Sequence, residues 1–300
     1  MNGQEDLAEA CRNWWRTGII AMRPGEIRIR GYPIEQLVGR LSFAEMIWLV
    51  TRGEVPEAGR VRLLEAALVA AVDHGPQAPS IAIARMGVSC GIGLNHAMAS
   101  ALNVLGDVHG GACEQAMELH ARVAAGIAAG RPLEAAAAAA VADWERDHGR
   151  YLPGFGHRFH PVDPRAPRLL ELVEAAAREG LVEGGVAAIA RAVENLLETR
   201  RGRPVPLNID GAVAVVFAEL GFPPPLARGL FCLSRSLGIL AHAFEQMQAG
   251  ERNKGPTPPE CFWVYDGPPP RDYVSGTGNA EGGSEGPPAP ATKQNEEARR

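Results

Sequence analysis

The chain reads as an all-α protein on three observations. Ala-rich apolar stretches at Leu63–Val72 and Leu133–Trp144 are built from strong helix formers. Gly and Pro punctuate the chain between apolar segments of helical length. Only Ile27-Arg28-Ile29-Arg30 alternates as a strand does, and it is short. Strands do not alternate with helices, which disfavours a Rossmann or barrel fold.

Taken in order, Leu63–Val72 is the first clear helix, and Ala112–Ala129 and the run from Leu133 follow. Asp163-Pro164 starts another helix, with Asp as N-cap, Pro at the first helical position and Leu169, Leu170 and Val173 on one apolar stripe. Gly180 closes it. Val186–Thr199, Gly211–Leu220 and Leu226–Met247 are the remaining helices. From Asp266 to Arg300 there are six Gly and six Pro, and no Leu, Ile, Phe, Met or Trp. Such a segment buries too little apolar area to offset its ordering entropy. Residues 266–300 are therefore expected to be a disordered tail, dispensable for folding, behind about 265 folded residues.

Composition narrows the function. Hydrophobic residues at 46% and charged residues at 22% suit a chain that buries a core, and no apolar run is long enough to span a bilayer. A net charge of −5 gives no support to a nucleic-acid surface. The polar, acidic start is unlike a secretory signal, so a cytoplasmic location is expected. Cys11, Cys90, Cys113, Cys232 and Cys261 are odd in number and include no CxxC pair. They are expected to be reduced, most of them in apolar surroundings, which argues against a disulfide framework or a zinc site.

Four polar clusters stand at helix ends: Asp73-His74-Gly75-Pro76, Gly106–Ala112 with His109, Gly154-Phe155-Gly156-His157-Arg158, and Asn208-Ile209-Asp210-Gly211. Glycine beside histidine lets backbone approach a ligand and leaves the imidazole uncovered. At a helix N-terminus, His109 would be kept neutral and could donate an N–H to a developing oxyanion, or be a turn residue only. Asp210 reads either as an N-cap with a lowered pKa or as a general base raised by apolar surroundings. Arg165, in the first turn of its helix, gains nothing from the helix dipole. It is either a solvated cation or the holder of a carboxylate through two parallel bonds.

Together the clusters resemble the citrate synthase superfamily, in the order His109-Gly110-Gly111-Ala112, Gly154-Phe155-Gly156-His157-Arg158 with Asp163-Pro164-Arg165, and Asn208-Ile209-Asp210. Arg30–Leu37 and Ser42–Glu45 resemble the family's opening, and Arg235-Ser236 with Ala241–Gln246 its late helix. The His-Gly-Pro turn at 74–76, Leu207–Gly211 and Gly229–Gly238 resemble the citryl-CoA lyase branch and the citryl-CoA-cleaving domain of ATP-citrate lyase. The short length is also that of a stand-alone lyase. His109 keeps the synthase-like His-Gly-Gly-Ala.

The resemblance implies a large helical domain (about 1–109 and 211–265), a smaller inserted one (about 110–210) and a homodimer. It implies citryl-CoA cleavage to acetyl-CoA and oxaloacetate, or the related citrate or 2-methylcitrate synthase condensation. His109, His157 and Asp210 would be catalytic, His74 and Arg165 would bind oxaloacetate, and Leu152, Pro153, Gly154, Phe155 and Gly156 would meet coenzyme A. CoA enters as part of the substrate, and neither a metal nor a bound cofactor is implied. The family arginine that follows the Glu-Gln helix is replaced by Gly255-Pro256, leaving Arg252, Lys254 or Arg271 as substitutes.

Overall fold

Helices account for most of the chain in the computed structural model, which describes residues 9–11, 14–157 and 160–273. The all-α expectation holds, with one small addition at the start. Strands β1 (Ile20–Arg23), β2 (Glu26–Ile29) and β3 (Tyr32–Pro33) form an antiparallel three-stranded sheet in sequential order. Ile20 pairs with Ile29 and Arg23 with Glu26 around the Pro24-Gly25 turn. The second turn, Arg30-Gly31, has both residues at positive φ, the geometry that matches strand twist. Strand β1 escapes a sequence reading because all four of its residues are exposed. Nothing then selects the apolar–polar alternation that marks a half-buried strand.

Eleven helices follow among the described residues: α1 (Ile34–Leu37), α2 (Phe43–Arg52), α3 (Ala58–Ala70), α4 (Pro79–Ser89), α5 (Leu94–Asn103), α6 (Ala112–Ala128), α7 (Leu133–His148), α8 (Arg165–Arg178), α9 (Gly185–Arg201), α10 (Ile209–Glu219) and α11 (Pro224–Ala249). Helix α2 starts at a capping box: the Ser42 hydroxyl accepts the Glu45 N–H, and the Glu45 carboxylate accepts the Ser42 N–H. Helix α8 begins at Arg165, so Pro164 precedes it rather than opening it, but the Asp163 carboxylate still accepts the Arg165 N–H.

The core is built around α10, which is apolar on every side and so lies inside. Val213, Val215, Val216 and Phe217 pack there with Leu64 of α3, Ala116 of α6, Val173 of α8 and Leu230 of α11. A second cluster joins Leu119 and Val123 of α6, Val141 and Trp144 of α7, and Val193 and Leu197 of α9. A third joins Ile81 and Ala84 of α4 to Ala97 and Ala101 of α5 and to Ile239 and Ala243 of α11. The alanines at these contacts let the helices approach closely.

Met1–Pro256 form one compact unit and Thr257–Arg300 a second. In the second, residues 257–273 carry no helix or strand, and Phe262, Trp263, Val264 and Tyr265 are exposed. Residues 274–300, most of the Gly/Pro-rich tail, lie outside the described residues. The five cysteines are free, but Cys11, Cys90 and Cys261 are exposed and only Cys113 is buried. The expected apolar setting therefore fails for most of them. Cys90 stands at the C-terminal cap of α4, where the chain turns outward.

His120 is the odd member of the core. It is 2% exposed on α6, and neither ring nitrogen finds a hydrogen-bond partner among the described residues. Burial disfavours its cation and pulls its pKa down to about 4. Folding then excludes a proton that the unfolded chain binds below about pH 6.5. Its contribution is fully present above that pH and is lost as the pH falls toward 4, by about 3 kcal/mol. Denaturant midpoints at pH 7 and pH 4.5 should differ less for His120→Leu than for the parent. An equal difference would show that His120 does not carry the effect.

Candidate active site

His109 lies in the loop between α5 and α6, two glycines before α6 begins. Its Nε2 accepts the backbone N–H of Ser80 at 3.2 Å and lies 3.0 Å from the Ser80 hydroxyl. Ser80 is fully buried at the start of α4. Because a backbone amide only donates, Nε2 is an acceptor and the neutral ring carries its proton on Nδ1. Burial, reinforced by the Arg235 guanidinium, holds His109 below the usual histidine range and so in that neutral form. Arg228 of α11 bonds both Asp107 and Glu114, one on each side of His109.

Asp210 is the second residue of α10, and the capping role belongs to Asn208. The Asn208 side chain accepts the N–H groups of Asp210 (3.0 Å) and Gly211 (3.2 Å). Asp210 is thus released from capping. Burial raises its pKa above the usual carboxyl range, opposed by the cations Arg235 and Arg165. Its charge also raises the thiol pKa of Cys113, second residue of α6, after burial, the larger cause. The starts of α6 and α10 therefore lie close together.

The segment 152–156 is locked against the strand-like approach to α10. Phe155 bridges Leu207, Gly156 N–H donates to Pro206 O at 2.7 Å, and Asn208 donates its backbone N–H to Gly154 O and its side-chain amide to Gly156 O. Leu152 is buried and Pro153 half-buried. Gly154 has φ +84, and a Cβ there would stand 2.7 Å from the Gly211 Cα. Gly154→Ala therefore forces strain and overlap together, expected to cost about 1–3 kcal/mol and to displace the Asp210 turn. A calorimetric midpoint equal to the parent's would contradict this packing.

His157 follows directly, and Arg158 lies outside the described residues. The His160 N–H donates to His157 Nδ1 at 3.1 Å, and Nε2 lies 4.0 Å from Asp163 Oδ2. The rings of His157 and His74 are 5.8 Å apart. Burial lowers the His157 pKa against the pull of Asp163, and His160 and Arg165 lower it further. His74 is lowered by burial, then by Arg235, Arg165 and His157.

Arg165 does hold a carboxylate with two parallel bonds, but the carboxylate is that of Asp163, at 2.9 Å on each oxygen. Asp163 is 1% exposed and also accepts the Ile209 N–H at 3.1 Å. Arg165 is therefore not a solvated cation: through Nε and Nη2 it forms an internal ion pair that ties the α8 start to the Asp210 turn.

Arg235 of α11 escapes a reading by local clusters. It is 5% exposed, its Nε donates to Ala71 O at 3.2 Å, and its guanidinium lies over the Phe231 ring. Among the described residues it has no carboxylate within ion-pair distance, and its charge acts on His74, His109 and Asp210 alike. An arginine between Phe231 and Ile239 on an apolar helix face was the available signal. Lys254 is committed elsewhere, to Glu251 and to Ser89 at the end of α4. A groove of about 300 Å³ lined by Leu170, Glu171, Glu174, Arg191, Glu194 and Leu207 contains none of these titratable site groups. Among the described residues no group of three or more His, Cys, Asp or Glu is arranged to hold a metal ion. No described helix is long and apolar enough to cross a membrane.

Imidazoles lowered by burial, a carboxyl raised by burial and a buried guanidinium thus act on one another on an all-α scaffold. Residues 56–255 match the family described as "Citrate synthase, C-terminal domain", and the chain belongs to the citrate synthase family. The structure of citryl-CoA lyase from Hydrogenobacter thermophilus is similar at 34% identity and a TM-score of 0.75, over 87% of this chain and 97% of that one. The citrate synthase of Saccharolobus solfataricus is 29% identical over 241 residues, which are 78% of this chain and 59% of that protein. Citrate synthase from Thermoplasma acidophilum, solved with carboxymethyl coenzyme A and oxaloacetate, is 27% identical with a TM-score of 0.62, over 78% and 59% of the two chains. The chain thus spans less than two thirds of the length of the curated synthase, but nearly all of the lyase.

Proposed function

We propose that the protein is a citryl-CoA lyase, cleaving citryl-CoA to acetyl-CoA and oxaloacetate. The observation that carries this reading is the similarity to the Hydrogenobacter lyase over nearly its whole length. In cleavage the tertiary hydroxyl gives up its proton to the neutral His74 imidazole, whose ring lies 5.8 Å from that of His157, as the C–C bond breaks. The electron pair passes to the acetyl fragment, which becomes the thioester enolate. His109 donates Nδ1–H to that enolate oxygen; its neutral state lets it do so without first losing a proton. Asp210, whose carboxyl burial pushes above its usual range, delivers a proton in its protonated form to the acetyl carbon.

His157 interacts through Nε2 with the oxygen that becomes the oxaloacetate carbonyl. His74, Arg165 and Arg235 bind oxaloacetate oxygens and carboxylates, and Leu152–Gly156 meet coenzyme A. CoA is part of the substrate, with no bound cofactor. The smaller domain, about 110–210, closes over the larger one (about 1–109 and 211–265) and excludes water. The separate core of α6, α7 and α9 supports that division.

The alternative is a citrate synthase, favoured by the His109-Gly110-Gly111-Ala112 wording and by the Saccharolobus relative. Acetyl-CoA and oxaloacetate with a thiol reagent separate the two. A lyase should build up citryl-CoA without free CoA, whereas steady CoA release would overturn the reading.

The protein acts as a cytoplasmic homodimer. Leu233, Leu237, Leu240, Phe244 and Met247 are exposed along one stripe of α11 at heptad-like spacing, as a helix partner needs. Sedimentation at micromolar concentration should give twice the 31.9 kDa chain mass, and Leu237→Asp should halve it. A parent sedimenting only as the single chain would contradict this.

A further inference from the structure

Helix α11 holds the segment that carries His74 through one face. Ser234 donates to Leu68 O at 2.5 Å and Arg235 to Ala71 O at 3.2 Å. Gly238 lies so close to Val72 O that a Cβ would stand 2.2 Å from it. The next residue on this face is His242, whose Nε2 is 3.2 Å from Asp73 Oδ1. The other Asp73 oxygen accepts the Gly75 N–H at 3.1 Å, so one carboxylate spans the turn on both sides of His74.

The hydrogen on His242 is directed by what lies behind it. Its Nδ1 is 3.0 Å from Arg85 Nη1, and arginine can only donate. Nδ1 is therefore the acceptor, which leaves Nε2 as the nitrogen in close polar contact with Asp73 Oδ1. Arg85 is fixed in turn by Gln246 at 3.1 Å and Glu245 at 2.5 Å. Burial pushes the Asp73 carboxyl up, but the Gly75 and His74 amides and His242 outweigh it, so Asp73 stays anionic.

We propose that His242 is a positioning residue: directed by Arg85, it anchors Asp73 and through it the turn that aims the His74 imidazole at its ligand. The inference rests on the reading of His74 as a group that binds oxaloacetate. Loss of one close polar contact to a charged group makes an effect of about tenfold in affinity the expected scale.

Two substitutions separate positioning from packing. His242→Leu keeps bulk and removes the donor, and His242→Gln restores an N–H of similar reach. His242→Leu should move the His74 C2 proton resonance of the ligand-free protein and raise the oxaloacetate Kd about tenfold. Its CoA-thioester Kd and thermal midpoint should stay those of the parent. His242→Gln should return both readouts to near the parent. If the Leu variant does not fold, His242→Asn, polar but too short to reach Asp73, takes its place. An unmoved His74 resonance with parental oxaloacetate affinity overturns the proposal, as does a Gln variant as impaired as the Leu variant. A parent that binds no oxaloacetate overturns the functional reading instead, and the resonance still decides the positioning.

Discussion

Asp210→Asn should lower citryl-CoA cleavage by about two to four powers of ten while the protein stays folded and binds CoA esters as before. Asn has nearly the shape of Asp but cannot deliver a proton at neutral pH. A capping role would have made this substitution almost silent, but the cap of α10 is Asn208. The Asp210 N–H is already taken by the Asn208 side chain, so its carboxyl is not needed to start the helix. Thermal midpoints and CoA-ester affinity, measured beside the rate, separate the two roles. A folded Asn variant within a few-fold of the parent rate would remove Asp210 from the chemistry.

Arg235→Met should weaken oxaloacetate binding by about 30-fold to several thousand-fold, the range expected when one partner of a buried charged contact is removed. Stability should hardly fall. The guanidinium is buried without a carboxylate partner among the described residues, and an apolar replacement of similar length lifts that desolvation cost. The losses to set against it are one hydrogen bond to Ala71 O and the contact with the Phe231 ring. The variant also loses the charge that most opposes burial at Asp210, so Asp210 should titrate higher. Isothermal titration with oxaloacetate and a melting curve provide the test. Unchanged affinity with a large drop in the melting midpoint would make Arg235 a structural residue only.

The parts of this protein legible in its sequence are those fixed by local chemistry. Gly and Pro mark the ends of α8, α10 and α11 because their backbone limits act within a turn or two. The Asp163-Pro164-Arg165 run also contained its own answer, since a carboxylate two residues before an arginine lies within reach of both its N–H and its guanidinium. Helices α4 and α5 escape a reading by local propensity. Gly87 and Ser89 in α4 and Asn95 and Ser100 in α5 weaken propensity, and the helices form by packing alanines against α11.

The site was legible in its titratable residues and not in what directs them. Ser80, which fixes the proton of His109, is 29 residues away and carries no local mark. Arg235 and His242 acquire their roles only when α11 lies across the end of α3, a fact of tertiary packing. Asn208 was visible as part of a motif, but its bonds to Gly154 and Gly156 join segments about 50 residues apart.

The most direct measurement is incubation of the purified protein with citryl-CoA, with oxaloacetate followed as NADH loss through malate dehydrogenase. The account predicts catalytic formation of oxaloacetate and acetyl-CoA in equal amounts, abolished together in Asp210→Asn. Citrate and free CoA as the products, or no turnover by a folded parent, would contradict it.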